Sequence, residues 1–317
     1  MKTSITTIAK IAGGLTLMAA SSVAMASVIN TKHNLGAGGT NNHTNGTTEI
    51  CVFCHTPHGG NQSVDAPIWN RKVSSSGVYT RFSSLGRITF DAREAPIGSV
   101  SIACLSCHDG TQAMNAVINS PGSDSSYTVG TGTLGGGVGG WSQTNMMSTL
   151  TPSDNGSTTG DIIYLGTDLR NDHPISMQYG GGGINQANPT GGTGGTTNDK
   201  DFAKAAATGT GSYGLTAASN GQPGNTSGTT TGSGTGLIRS LTPVNGGAIR
   251  WYVDTGVAGY QGTDFPLYTR TDATGDSAPQ PFVECGTCHD PHSSNSTFLR
   301  LPGGNTSSQV CLTCHAK

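Results

Sequence analysis

The stretch Cys285-Gly286-Thr287-Cys288-His289-Asp290-Pro291-His292 decides how this chain is read. Two cysteines stand three positions apart. A histidine follows the second at once, and another histidine comes three residues later, behind a proline. Toward the N-terminus, Cys51-Val52-Phe53-Cys54-His55-Thr56-Pro57-His58 repeats the whole pattern. Cys104-Leu105-Ser106-Cys107-His108 repeats its first five positions, and so does Cys311-Leu312-Thr313-Cys314-His315 near the C-terminus. The chain has 8 cysteines, and all of them lie in these units.

The spacing predicts one helical turn that presents two thiols to one edge of a flat ligand, with the histidine beneath it. C-x-x-C-H reads as attachment of a c-type haem, each thiol adding across one vinyl group and the histidine binding iron. Disulfides, zinc sites built from paired C-x-x-C units and thioredoxin-like redox motifs compete for the same cysteines. None of them requires a histidine after every second cysteine. The expectation is four covalently bound haem c groups, carried by Cys51 and Cys54, Cys104 and Cys107, Cys285 and Cys288, and Cys311 and Cys314. His55, His108, His289 and His315 are the first iron ligands.

Five further histidines exist: His33, His43, His58, His173 and His292. Four irons need four more ligands if each takes two imidazoles. His58 and His292 share the form CxxCH-x-P-H, where proline fixes the local backbone and aims the second histidine away from the first, toward a different haem. His173, in Asn171-Asp172-His173-Pro174, has a carboxylate beside it that could orient a metal-bound ring. His33 has Leu35 nearby for packing, whereas His43 has only polar neighbours. The ligand set is therefore read as His33, His58, His173 and His292. Met114, Met146, Met147 and Met177 could also bind iron, but the histidines suffice and packing is the preferred reading.

Residues 1–26 read as a secretory signal peptide: Lys2 and Lys10, an apolar run over 11–20, and Ala24-Met25-Ala26 as a cleavage site. The apolar run is short for a membrane anchor, which needs about 20 residues. The whole chain has a formal charge of −2 and only 11% charged residues, which argues against a nucleic-acid partner. Hydrophobic residues make up 33%, so large side chains are few and something else must fill the interior.

The motifs divide the chain into an N-terminal dihaem segment (27–120), a Gly/Thr/Ser-rich insert (121–270) and a C-terminal dihaem segment (271–317). The insert carries much of the chain's glycine and reads as loops with short strands at 161–165 and 248–253. Short helices are expected at 111–118 and 201–207. Residues 271–276 lack the terminal Glu of a standard calcium loop. The fold class is mostly irregular coil, with short helices at the haem sites and a few short β-strands, around a core made of haem. Folding is expected to depend on haem attachment.

The CxxCH-x-P-H units, CLSCHDG at 104–110, NDHPIS at 171–176 and the closing CGTCHDPH…FLR…CLTCH resemble the doubled-CxxCH multihaem c-type cytochromes, grouped loosely with the cytochrome c3 type. The likeness extends to tetrahaem cytochromes of the outer surface that polymerise into extracellular nanowires. It covers both motif pairs and the surroundings of His173, and it leaves the insert out. It implies bis-histidine haems stacked in near contact, with one distal histidine supplied by a neighbouring subunit; His33 and His43, near the N-terminus, are the candidates.

Two imidazoles per iron leave no open position for a substrate, so the expectation is an electron carrier and not an enzyme. Its partners would be copies of itself in a homopolymer, a periplasmic or outer-membrane electron donor, and an extracellular acceptor. The expected location is the cell surface or extracellular space, with the periplasm as alternative. A monomeric electron shuttle and a multihaem oxyanion reductase are the competing functions.

Overall fold

The computed structural model describes residues 28–39, 47–86, 92–112, 114, 116–120, 164–185, 197–199, 201–202, 237–241, 250–255, 260–272 and 278–315. Residues 1–26, expected to be a signal peptide, His43, Met146, Met147 and most of the insert lie outside the described residues.

Three short helices carry cysteine motifs. Helix α1 is Ser101–His108, α2 is Cys285–Cys288 and α3 is Gln309–Cys314. The first motif forms a 3-10 turn, Cys51–Phe53. In each of the first, third and fourth motifs the histidine N–H donates to the carbonyl of the first cysteine: His55 to Cys51 at 2.8 Å, His289 to Cys285 at 3.1 Å and His315 to Cys311 at 2.9 Å. That bond closes one helical turn and sets both sulfurs on one side of it.

Five antiparallel strands form one sheet: β1 (Met177–Gln178), β2 (Leu237–Leu241), β3 (Arg250–Asp254), β4 (Phe265–Arg270) and β5 (Gln280–Val283). The order is β1-β5-β4-β3-β2. Trp251 pairs with Leu267 and Val253 with Phe265, while Tyr268 pairs with Phe282. Strand β4 alternates buried Phe265 and Leu267 with half-buried Pro266 and Tyr268, the period of a sheet with one covered face. The sheet joins strands on both sides of residue 270 and is larger than the two short strands expected. Only β3 corresponds to one of them. Tyr164 and Leu165 are in coil, not strand, and residues 161–163 lie outside the described residues.

The helix expected at 111–118 does not form. Gly110, at φ 68°, turns the chain out of α1. Asp109 then accepts from the backbone N–H of Thr111 at 2.8 Å and from its hydroxyl at 2.9 Å, a local bond that competes with helix. Arg71 takes the Met114 carbonyl at 2.5 Å and pairs by a backbone bridge with Val117. Of the helix expected at 201–207, Asp201 and Phe202 are non-helical and the rest lies outside the described residues.

The apolar core is split into small clusters set against the cysteines. Val64, Trp69, Ile97, Ala103 and Leu105 pack with Cys54. Tyr179, Ile184, Trp251, Phe265 and Leu267 pack with Cys288 and Cys314. Met114 is buried with Val52, Phe53 and Val117, and Met177 is buried in β1. Among the described residues no helix is long and apolar enough to cross a membrane.

Candidate functional site

All eight cysteines are free thiols. Burial pushes the thiols of Cys54 and Cys314 up to about 12 and that of Cys288 up to about 11. Among the described residues no three His, Cys, Asp or Glu side chains converge to hold a bare metal ion. Thiols presented in pairs from single helical turns suit covalent attachment of a vinyl-bearing ring.

The first and third motifs are built alike. After each CxxCH the chain loops out and returns to its own histidine. Thr56 N–H donates to the Ile68 carbonyl at 2.9 Å, and Asn70 N–H to the Cys54 carbonyl at 2.9 Å. In the third motif Asp290 N–H donates to the Phe298 carbonyl at 2.8 Å, and Arg300 N–H to the Cys288 carbonyl at 2.9 Å. Ile68 and Phe298 occupy equivalent corners and both have positive φ, 46° and 58°. The ring of His55 donates through Nδ1 to the Pro67 carbonyl at 2.8 Å, and that of His289 to the Thr297 carbonyl at 2.8 Å. The repeat therefore extends past the CxxCH-x-P-H string into a common loop geometry that residue identity does not reveal.

The same Nδ1 habit recurs in three of the other candidate ligands. His33 Nδ1 lies 3.3 Å from the Pro291 carbonyl, His173 Nδ1 lies 3.0 Å from the Pro174 carbonyl, and His292 Nδ1 lies 3.4 Å from Asp290 Oδ1. A ring that donates through Nδ1 keeps the Nε2 lone pair for a metal. His173 is oriented by the Pro174 carbonyl and not by Asp172, whose Oδ2 is buried without a partner among the described residues. Burial first, then the neighbouring His108, depresses His33 to about 4, so its ring is neutral at physiological pH. Burial also lowers His173, with His315 adding to that shift. The Asp290 carboxylate raises His292.

The structure brings several distant rings together. His292 faces His55 with ring centres 6.1 Å apart, and His33 faces His108 at 6.3 Å. Phe298 stacks on His33 at 4.1 Å with planes 13° apart, a partner that no local pattern around His33 discloses. The ring of His58 is exposed; its carbonyl is held by Thr56 and Asn119. No ring contact to His58 is seen among the described residues.

The second and third motifs meet directly. The Cys104 thiol donates to the Val100 carbonyl at 3.7 Å, and the Cys104 and Cys285 thiols influence one another, which raises Cys104 and lowers Cys285. Beneath them Glu284 is buried and accepts from Ser101 Oγ at 2.5 Å, Ser176 Oγ at 3.1 Å and Arg270 Nη1 at 2.8 Å. Ser101 Oγ in turn accepts from Cys285 N–H at 2.9 Å. Glu284 and Thr287 also form a capping box on α2.

The residues fit a haem at each motif on three counts. Paired thiols leave one turn, histidine rings such as His55 and His289 keep Nε2 available, and at the first motif buried Trp69 Nε1, beside His55, lacks an acceptor among the described residues that a carboxylate-bearing ligand would supply.

Residues 280–317 match the family described as the doubled CXXCH motif. No curated protein matches the chain. The match spans the third and fourth motifs. It indicates covalently bound haem c and supports a multihaem c-type cytochrome that transfers electrons.

Proposed function

We propose that this chain is an exported tetrahaem c-type cytochrome that carries electrons through stacked bis-histidine haems, and that copies of it polymerise into a conductive extracellular filament. The eight motif cysteines form the thioether links. His55, His108, His289 and His315 are the proximal ligands; His33, His58, His173 and His292 are the distal ones. Haem c supplies a one-electron iron couple whose potential is governed chiefly by its axial ligands. Two imidazoles at each iron close it to substrates, so the chain is a conductor and not an enzyme.

The observation that carries this reading is the hydrogen bond from Cys285 N–H to Ser101 Oγ at 2.9 Å, which ties the start of the third motif to the helix of the second. The cysteines of both motifs are attachment points for porphyrin edges. The bond brings two attachment points near one another, as short-range electron transfer requires. The buried Ser101, Glu284 and Arg270 hold them there. Electrons would enter from a periplasmic or outer-membrane donor and leave to an extracellular acceptor.

Electron cryomicroscopy of material sheared from the cell surface tests the filament. Filaments with a continuous haem chain are the expected result. Discrete particles, with the protein recovered as a monomer from the periplasm, would overturn polymerisation and leave an electron shuttle. Cyanide or nitrite added to reduced protein should leave the Soret band unchanged; a shifted band would point to an open iron and an enzyme.

A further inference from the structure

We infer that two irons take their second imidazole from far along the chain: His292 completes the site of Cys51, Cys54 and His55, and His33 completes the site of Cys104, Cys107 and His108. The inference rests on reading the motifs as haem c sites. It goes further by assigning which histidine serves which site.

Two imidazoles on opposite sides of one metal have their ring centres separated by a fixed amount. A metal–nitrogen bond of about 2.0 Å on each side, plus about 1.1 Å from nitrogen to ring centre, gives a separation of about 6 Å. His55 and His292 lie 6.1 Å apart, with planes 14° apart. His33 and His108 lie 6.3 Å apart, with planes 61° apart. A ring in face contact sits closer, as Phe298 does against His33 at 4.1 Å. Both pairs thus have the spacing of trans ligands, and in each pair one ring belongs to a CxxCH motif while the other comes from elsewhere in the chain.

The tautomers agree. His55, His292 and His33 each direct Nδ1 at an oxygen, of Pro67, Asp290 and Pro291 respectively, and so keep Nε2 for the metal. The loop 289–292 then serves three sites. His289 belongs to the third motif, His292 reaches the first, and the Pro291 carbonyl between them orients His33 for the second. One short loop keeps three irons in register.

The plane angles make the two sites distinguishable. Near-parallel imidazole planes give low-spin ferric iron a rhombic electron paramagnetic resonance signal. Planes turned toward perpendicular give a more anisotropic signal with its low-field feature at higher g. Full-length protein is produced with haem attached, and its haem content is read from intact mass. His292→Gly should remove the rhombic signal of the first site, create one high-spin iron and leave the anisotropic signal of the second. His33→Gly should do the converse, and added imidazole should restore each low-spin signal. Should a glycine variant fail to fold, His292→Met or His33→Met keeps a ligand in place, and a methionine-to-iron charge-transfer band should appear for one iron. Unchanged signals at full haem content, loss of the opposite signal, or no methionine band would overturn the pairing while leaving the haem reading intact. Wild-type protein that carries no haem would overturn the reading beneath it.

Discussion

Ser101 Oγ donates to Glu284 Oε2 at 2.5 Å, and both residues are buried. Ser101 opens the helix of the second CxxCH motif and Glu284 precedes that of the third, so this bond joins two CxxCH turns that are far apart in the sequence. Glu284 also pairs with Arg270 Nη1 at 2.8 Å, and Arg270 Nη2 reaches Asp272 at 2.6 Å.

Glu284→Ala leaves the buried Arg270 with one of its two carboxylate partners, Asp272. Breaking a buried pair this way costs about 3–5 kcal/mol. Ser101→Ala removes one hydrogen bond from the same carboxylate and should cost about 1–3 kcal/mol. Denaturant titration of the haem-loaded protein, followed by far-ultraviolet circular dichroism, checks the ranking. Equal stability of both variants and wild type would show that the network does not join the two halves.

Gly286, inside the third motif, has no room for a side chain. A Cβ there would run into the Tyr268 hydroxyl and meet Val100 Cγ1 at 3.2 Å. Overpacking of this kind costs about 1–3 kcal/mol. Gly286→Ala should lower thermal stability and the fraction of chains carrying haem at Cys285 and Cys288. Tyr268→Phe in the same chain removes the clashing hydroxyl and should recover part of the loss.

Phe298 lies flat on His33 at 4.1 Å. An aromatic pair of this geometry contributes about 0.5–1.5 kcal/mol beyond its buried area. Phe298→Leu should lower stability by that order and free the His33 ring to turn. The low-spin signal with the larger anisotropy should broaden or shift, while the other signals stay unchanged. A signal that does not move would mean that the Pro291 carbonyl alone fixes the ring.

Removal of one motif should subtract one haem and no more. Cys311→Ser with Cys314→Ser leaves α3 without thiols; Cys314 packs against the cluster around Trp251 and Phe265, and Cys311 is exposed beside Asn305. Intact mass should fall by one haem relative to wild type. An unchanged mass would show that the fourth motif is not an attachment site.

Tyr79 donates its hydroxyl to Asp109 Oδ2 at 2.7 Å, and burial, followed by that bond, raises its pKa well above the usual phenol value. The folded state therefore holds the phenol proton at pH values where the unfolded chain releases it. Stability falls as pH rises above the unfolded value of about 10 toward the folded one. Tyr79→Phe should lose about 1 kcal/mol at neutral pH and should lack this part of the alkaline decline. Melting curves across alkaline pH compare the two.

The CxxCH units were legible in the sequence because their geometry is local. Five consecutive residues in one turn set two sulfurs and an imidazole, and the bond from His289 N–H to the Cys285 carbonyl closes that turn without help from the rest of the chain. Strand β3 was legible for a similar reason, an apolar run rich in Trp, Tyr and Val. The helix expected at 111–118 failed because Asp109 and Arg71 captured its backbone groups, one by a local turn and one from a distant segment. Which histidine faces which was not legible. The sequence names His33 and His292 as imidazoles, but their positions opposite His108 and His55 depend on loops whose carbonyls, Pro291 and Pro67, aim the rings. The candidate ligands were thus legible in composition and spacing along the chain. Which rings stand opposite one another, and the meeting of Ser101 with Cys285, was decided only when sheet, loops and the buried Glu284 brought remote segments together, because a site is a relation between positions in space.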